Sequence, residues 1–388
     1  MEDSLRVDAK DFESEDRLTV DESDQLDENT VPGDVELVYR TQDFTVDSLV
    51  NRLKSKHIII PSSDYESDDL TTERFQRDWV WKKSQMDRFI ESILLGYPLP
   101  GIFLVRQGRD KKLLVLDGQQ RLRTLKAFYD GEYIRGKSSK SFVLENVTAS
   151  LQGLSVDTLT GDQRRTLDDT YMQGTIIEVG ENQETLGAVY ALFERLNTGG
   201  TFLTPHEIRF ALFSGELFSE LTDISGTDSW RMLYGKPPKR KRDHELLLRA
   251  FAFIMDGGDY SPPLKGFLNR AAEKYRDLST PESKGAIVSL REAIETLAST
   301  EGAGGFRRER TQVNTADAEA VLSVLALHIM GNSDSAVTKE CIERWLKALR
   351  ADQDFIRCTS EATANLSATQ TRRRIAEEVL NEVVGSPR

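Results

Sequence analysis

Apolar positions between residues 86 and 129 change their spacing along the chain, and each spacing predicts a different element. The first set recurs every three or four residues, as on one face of a helix: Met86, Phe89, Ile90, Ile93 and Leu94. Ser84 with Asp87 three residues later is typical of a capping box at the start of that helix. Two short apolar runs, 101–106 and 112–116, flank a polar turn and predict paired strands. After Gly118 the helical spacing returns, so this stretch predicts a helix, two strands and a second helix.

The five residues Asp117 to Arg121, DGQQR, lie where the predicted strand ends and the helix begins. The first amide groups of a helix have no partner within it and carry the positive end of its dipole, so they attract anions. Gly118 lets a ligand approach the backbone, and Arg121 offers a planar set of donors that suits phosphate oxygens. Asp117 is a candidate to hold a metal ion or orient a water, and Gln119 and Gln120 can position a ribose, a base edge or an attacking water. Taken alone, the motif is equally well explained as a structural turn with a solvated arginine.

Upstream of this motif, polar side chains that suit phosphate binding stand next to aromatic residues. They are further candidates for nucleotide binding: Arg74, Gln76 and Arg77.

Three motifs follow one another in this region: FQR-x-x-x-W at 75–81, G-x-P-x-P at 96–100 and LDGQQR-L-x-T-L at 116–125. With them the chain resembles the DGQQR-motif family, first catalogued as a domain of unknown function. That domain forms the N-terminal half of GmrSD-type, modification-dependent restriction enzymes and of related phage-defence proteins. The later segments FERLNTGGTFLTPHEIR and RDHELLLRAFAF are also similar to family segments, so the resemblance covers most of the chain after the N-terminal tail.

The resemblance implies a ParB/sulfiredoxin-like nucleotide-binding domain, in which a GxxR-type box contacts the phosphates of a nucleotide. Gly118 to Arg121 matches that box. The implied ligands are a nucleoside triphosphate whose base is not specified, and Mg²⁺ held by Asp117. The FERLNTGG segment adds three second-rank candidates for nucleotide binding: Arg195, Asn197 and Gly200.

Residues 131–138 match the Walker A pattern GxxxxGK[ST] letter for letter. A P-loop joins a buried strand to the start of a helix, whereas this stretch follows an amphipathic helix and precedes a predicted strand at 141–144. We therefore expect Lys137 to lie on a surface turn and not against a nucleotide.

Elsewhere the pattern separates a mixed half of the chain from a helical half. Residues 46–54 predict a helix, and residues 57–60 and 173–179 predict strands. The C-terminal half is almost entirely helical in its spacing, with Asp243 expected to cap one of the helices. The predicted fold is α+β, in three parts: an acidic tail at 1–36, a ParB/sulfiredoxin-like nucleotide-binding domain at 37–205 and a helical domain at 206–388.

Composition agrees with two domains and a charged tail. At 388 residues and 38% hydrophobic content, the chain can bury two cores. Residues 1–36 hold 14 Asp and Glu against 3 Lys and Arg, most of the net charge of −13. They predict a disordered, solubilising tail, with mimicry of phosphate in a nucleic-acid groove as the alternative. The sequence has no membrane-length apolar run, no secretory signal and no disulfide framework, so we expect a cytosolic protein without a membrane partner.

Basic residues cluster three times in the helical half. Two of the clusters supply candidate DNA-binding residues: Lys239, Arg240, Lys241, Arg242, Arg307 and Arg308. The third cluster is Arg372 to Arg374. A single basic cluster is commonly a solvated face, but three in one domain favour contact with a DNA backbone.

The fused GmrSD-type enzymes carry a C-terminal HNH nuclease, and the four histidines of this chain do not form the HNH pattern. We therefore expect the protein to be the nucleotide-handling part of a defence system. Its expected partners are DNA, a nucleotide and a nuclease or other defence protein, and it can form oligomers. Three functions stay open: an NTP-hydrolysing protein of phage defence that acts on or senses DNA, a nucleotide-switched DNA-binding module without turnover, and a DNA nickase that uses the DGQQR site.

Overall fold

The computed structural model describes residues 37–60, 81–106, 112–135, 138–178, 188, 189, 192, 196, 205–213, 215–238, 241–301, 305, 306, 313–331 and 337–385. These residues fall into two compact units. We call residues 37–196 the α+β unit and residues 205–385 the helical unit.

The α+β unit alternates short strands with short helices. Its elements are β1 (Tyr39–Thr45), α1 (Val46–Lys54), β2 (Ile58–Ile59), α2 (Lys83–Leu94), β3 (Ile102–Arg106), β4 (Leu113–Asp117), α3 (Gln119–Asp130), β5 (Glu132–Arg135), β6 (Ser138–Ser141), α4 (Gly161–Asp169) and β7 (Tyr171–Glu178). The helices and strands predicted from the apolar spacing between residues 46 and 130 are confirmed. Strand β1 was not predicted because it is an edge strand whose first five residues are exposed, so no apolar alternation marks it.

A five-stranded sheet in the order β1-β7-β3-β4-β2 forms the centre of this unit. β4 runs antiparallel to β3 and parallel to β2, and β3 runs parallel to β7. One face packs against the apolar sides of the helices. The opposite face is also buried, through Val105, Leu114, Leu116 and Ile177. Burial of both faces explains why residues 113–116 are apolar without interruption.

The residues that match Walker A contain a β-hairpin and not a P-loop. Gly131 ends α3 with a left-handed φ of +75°, and β5 then pairs antiparallel with β6. The strand predicted at 141–144 is therefore wrong in position, since β6 ends at Ser141. Lys137 lies outside the described residues. A strand where a P-loop would begin its helix excludes the P-loop geometry.

The predicted start of α2 is also corrected. The helix begins at Lys83, and the backbone N–H of Lys82 donates to Oε1 of Gln85 at 2.9 Å. Asp87 is fully buried and accepts from the backbone and side-chain amides of Asn146, at 3.1 and 2.8 Å. It also pairs with Lys83. This carboxylate, expected to cap a helix, instead holds the loop after β6 onto α2.

The helical unit contains, in order, α5 (Pro205–Leu212), α6 (Glu216–Ser225), α7 (Asp228–Tyr234), α8 (Arg242–Asp256), a 3₁₀ turn (Gly257–Asp259), α9 (Leu264–Lys274), α10 (Pro281–Glu301), α11 (Thr315–Gly331), α12 (Lys339–Leu349), α13 (Gln353–Cys358) and α14 (Leu366–Gly385). Residues 316–326 of α11 and 243–254 of α8 are all buried, so these helices have no solvent-facing side there. The α+β fold followed by helices is as predicted.

No helix in the described part of the chain is both long and apolar enough to span a bilayer.

Candidate functional site

Gly118 is the residue at which β4 turns into α3. Its φ of +96° lies in the left-handed region that favours glycine. A Cβ built on it would stand 2.4 Å from Cγ2 of Ile102 in β3. Backbone conformation and space therefore both require glycine. As the N-cap residue, Gly118 provides no side-chain acceptor for the amide groups of the first turn of α3.

Arg121 ties this turn to the loop that precedes β3. Its Nη1 donates to the carbonyl oxygens of Pro100 and Gly101, at 2.8 and 2.7 Å, and its Nη2 donates to Oδ2 of Asp117 at 2.5 Å. The Arg121 side chain is only 12% exposed, and that of Asp117 is 38% exposed. The guanidinium predicted to bind phosphate is thus first of all a clamp between a loop, a strand end and a helix.

Gln119 and Gln120 lie half-buried in the first turn of α3. Oε1 of Gln120 faces the backbone N–H of Trp81 at 3.5 Å, a long contact. The Trp81 ring packs edge-on against Phe89 of α2, with centroids 5.6 Å apart. The motif therefore lies beside the chain segment that leads into α2, a proximity that the spacing of residues did not predict.

Asp117 is the acidic residue of this turn, and it stands at the end of β4 opposite Phe103 of β3. A register shift between Phe103 and Leu104 gives the strand pair an irregularity beside the motif. Among the described residues, no group of three or more His, Cys, Asp and Glu is arranged to hold a metal ion. A magnesium ion at this turn would share Asp117 with Arg121 and take its remaining ligands from phosphate oxygens and water.

Many of the predicted site residues lie outside the described parts of the chain: Arg74, Gln76, Arg77, Arg195, Asn197, Gly200, Lys239, Arg240, Arg307 and Arg308. Their roles stay predictions. The structure brings together Asp117, Gly118, Gln119, Gln120 and Arg121 at one strand–helix junction.

Two predicted DNA-binding residues, Lys241 and Arg242, stand at the start of α8. Lys241 is the N-cap, with a left-handed φ of +49°. Its Nζ lies 4.4 Å from the ring centroid of Phe210, a cation–π contact with α5. Lys241 thus has a structural role, whatever it contributes to a DNA surface. Asp243, expected as the cap, lies inside the helix and is buried.

The basic run 372–374 is mostly internal. Arg372 is buried and donates to Oε2 of Glu319 at 2.6 Å. Arg373 donates to the carbonyl of Phe253 at 3.0 Å and lies over its ring. Arg374 pairs with Glu378 on the exposed side of α14. The expectation of a third solvent-facing basic cluster is therefore wrong for two of these three arginines.

A buried ionic network in the helical unit was missed by the sequence reasoning. Arg209 of α5 is fully buried; its Nε donates to Oδ1 of Asn269 at 2.7 Å, and its Nη1 lies 3.6 Å from Oε2 of Glu245. Arg249 donates to Oε1 of Glu245 at 2.9 Å. The signal was present, since Arg249 is a charged residue in the otherwise apolar run 246–254, four residues after Glu245.

Asp243 belongs to a second buried cluster in the same unit. It accepts from Oγ of Ser225 at 2.9 Å and from Nδ1 of His244 at 3.0 Å, and it pairs with Arg231. Burial alone would raise the pKa of Asp243, but the neighbouring His244 and Arg231 lower it well below its ordinary value. This carboxylate is therefore ionised and holds α6, α7 and α8 together.

His206, in the first turn of α5, is fully enclosed. Its ring lies 6.1 to 6.5 Å from the rings of Phe210, Phe218 and His244. In the described part of the structure neither ring nitrogen has a hydrogen-bond partner. Burial lowers the pKa of His206 to about 3. His206 is thus a neutral histidine of the core near pH 7.

Residues 53–214 match the family model described as the GmrSD restriction endonuclease, N-terminal domain. The matched segment contains the turn at 117–121 with Trp81 and the loop before β3, and it extends through α5 of the helical unit. A search of curated proteins gave no match to this chain.

Proposed function

Since residues 53–214 are a domain of the GmrSD restriction endonuclease N-terminal family, we propose that the turn at 117–121 binds and hydrolyses a nucleoside triphosphate. In this proposal the chain acts in a restriction or phage-defence system, where nucleotide turnover is coupled to the sensing or processing of DNA.

The observation that carries the proposal is the uncapped start of α3. The backbone amides of Gln119, Gln120 and Arg121 follow a glycine that offers no side-chain acceptor. A twelve-residue helix places the positive end of its dipole at the same point. Phosphate oxygens would satisfy these amides.

Arg121 supports this role without leaving its place. Its guanidinium is fixed by Asp117 and by the carbonyls of Pro100 and Gly101. A fixed cation stabilises the negative charge of phosphate with no reorganisation when the ligand arrives. The loop and the turn are thereby held together before binding.

Hydrolysis requires a water aligned with the terminal phosphorus and compensation of charge on the transferred phosphoryl group. Gln119 and Gln120 carry side chains that can both accept from and donate to such a water. Asp117 would hold Mg²⁺, which supplies charge neutralisation when bound with the nucleotide. The water oxygen forms a bond to the terminal phosphorus while the bond from that phosphorus to the bridging oxygen breaks, which releases a nucleoside diphosphate, inorganic phosphate and a proton.

The test is phosphate release from ATP, GTP and CTP with Mg²⁺, in the presence and absence of DNA. Asp117→Asn is the informative variant, because asparagine still accepts the Arg121 hydrogen bond but cannot hold Mg²⁺ as well. We expect turnover to fall about tenfold or more while the melting temperature stays nearly unchanged. Arg121→Ala is less informative, since it also frees the loop at Pro100.

The matched control is Asp130→Asn at the opposite end of α3, where the carboxylate pairs with Lys126 and Lys54. Its turnover should equal that of the wild type. Nucleotide-dependent, salt-sensitive DNA binding without phosphate release would replace the proposal with a nucleotide switch. DNA cutting that disappears in Asp117→Asn, without nucleotide turnover, would replace it with a nickase.

A further inference from the structure

Three tyrosines stand out among the aromatic side chains of the described residues because their rings face solvent. They are Tyr39, Tyr97 and Tyr171, exposed by 66, 58 and 67%. All three lie in the α+β unit. An exposed ring that lies near a binding site can stack on the ligand, so the position of each tyrosine relative to the DGQQR turn matters.

Tyr97 is the one that belongs to the loop held by the DGQQR turn. It follows the left-handed Gly96 at the end of α2, and its backbone N–H donates to the carbonyl of Ser92 at 2.8 Å. Three residues later, the carbonyl of Pro100 accepts from Arg121. Three residues span at most about 11 Å, so Tyr97 lies within the length of a nucleotide from the Pro100–Arg121 contact.

The loop is fixed at both of its ends. The Tyr97–Ser92 hydrogen bond holds its start on α2, and Arg121 holds its end on α3. At Gly101 a Cβ would meet the carbonyl oxygen of Gln173 at 2.9 Å, so the loop also runs close against β7. Tyr97 is therefore an exposed ring on an ordered loop, which is the arrangement that lowers the entropic cost of stacking a ligand.

The other two exposed tyrosines have different positions. Tyr39 lies on β1, the edge strand three places from β4 in the sheet, and pairs with Ile177. Tyr171 begins β7 and pairs with Thr45. Neither belongs to a segment that Arg121 contacts. They serve as matched comparisons for Tyr97, with the same side chain and similar exposure.

We propose that Tyr97 stacks on the base of the nucleotide whose phosphates lie at the start of α3. The inference rests on the proposed function, which it extends from the phosphates to the base. Stacking on a tyrosine face accepts any base, because every base has a π-face. The loop residue therefore adds affinity for nucleotides over other polyphosphates, and it does not by itself select which base is bound.

The test compares the binding of a nucleoside triphosphate with that of inorganic tripolyphosphate, which has no base, to full-length protein by calorimetry with Mg²⁺. Tyr97→Ala should weaken nucleotide binding about tenfold and leave tripolyphosphate binding unchanged. Tyr97→Phe, which keeps the ring, should bind the nucleotide like the wild type. Tyr39→Ala should leave both affinities unchanged.

Each other outcome overturns the inference in a recognisable way. If Tyr97→Ala binds the nucleotide as tightly as the wild type, Tyr97 does not stack on the base, and the phosphate site stands. If Tyr97→Ala weakens both ligands equally, Tyr97 shapes the loop and does not contact a base. If the wild-type protein binds neither ligand, the proposed function fails and this inference fails with it.

Discussion

The two units each contain an arginine and a carboxylate four residues apart, in very different surroundings. In the α+β unit, Asp117 and Arg121 stand on either side of a strand–helix junction, with the carboxylate more than one-third exposed. In the helical unit, Glu245 and Arg249 lie within one helix, and both are less than 9% exposed. An ion pair of the same kind is thus partly open to water in one unit and enclosed in the other.

The difference concerns what the pair is able to do. Glu245 accepts a hydrogen bond from Arg249 and lies close to buried Arg209, so its negative charge balances buried arginines within the core. Asp117 keeps part of its carboxylate open beside the uncapped amides of α3. An enclosed pair specifies packing, whereas a half-exposed pair at a helix start can also meet a ligand.

The largest effect is expected from breaking the enclosed pair. Glu245→Ala leaves the charges of Arg209 and Arg249 buried without their carboxylate, which costs about 3–5 kcal/mol. Denaturant unfolding followed by circular dichroism measures the loss. Glu295→Ala, at an exposed position of α10, is the control and should change stability by less than about 0.5 kcal/mol. Equal stability of the two variants would show that the network carries little energy.

A smaller loss is expected from Gly118→Ala. An alanine side chain is strained at a left-handed φ and overlaps Ile102, and together these effects lower the free energy of unfolding by about 2–4 kcal/mol. Gly153→Ala is the matched control, because Gly153 also has a positive φ of +83° but no atom within 4 Å of an added Cβ. Its cost should be about 1–2 kcal/mol. If the two variants have the same melting temperature, the contact with Ile102 does not constrain the turn.

The enclosed histidine predicts a dependence of stability on pH. His206 has a pKa of about 3 when folded, below its ordinary value, so the unfolded chain binds more protons between about pH 6.5 and 3. Stability should therefore fall as the pH decreases through this window, by up to about 1.4 kcal/mol per pH unit from this residue.

The measurement is the free energy of unfolding at several pH values between 7 and 4.5, for the wild type and for His206→Gln. The slope should be shallower in the variant, because glutamine does not titrate. His57→Gln, at an exposed position of the α+β unit, should keep the wild-type slope. A wild-type slope in His206→Gln would mean that other groups dominate the acid sensitivity.

The sequence predicted the strand–helix junction well, because its elements are local and their apolar periods are clear. Leu122, Leu125 and Phe128 repeat at helical spacing and are all fully buried. Gly118 was interpreted as a point of ligand approach, and neither its left-handed φ nor its close contact with Ile102 was predicted. The clamp of Arg121 on Pro100 and Gly101 was not predicted, since it joins residues about twenty positions apart and no periodic pattern encodes such a contact.

The misplaced helix caps have one physical origin. Asp87 and Asp243 each satisfy the local preference for an acidic residue near a helix start, yet each is buried by partners far along the chain. The run at 372–374 shows the same limitation, because burial of Arg372 depends on Glu319 in another helix. Local preference is a weak guide wherever tertiary contacts decide which polar groups are enclosed.

The central claim is that the amides at the start of α3 hold phosphate, and Gln119→Glu tests it most directly. The replacement has nearly the same shape and suits the first turn of a helix, so stability should not fall. Its negative charge would repel phosphate, and nucleotide affinity should fall about tenfold or more. Gln42→Glu on edge strand β1 makes the same change of charge at an exposed position and should bind like the wild type. Unchanged nucleotide affinity in Gln119→Glu would contradict the assignment and make the DGQQR turn a structural junction.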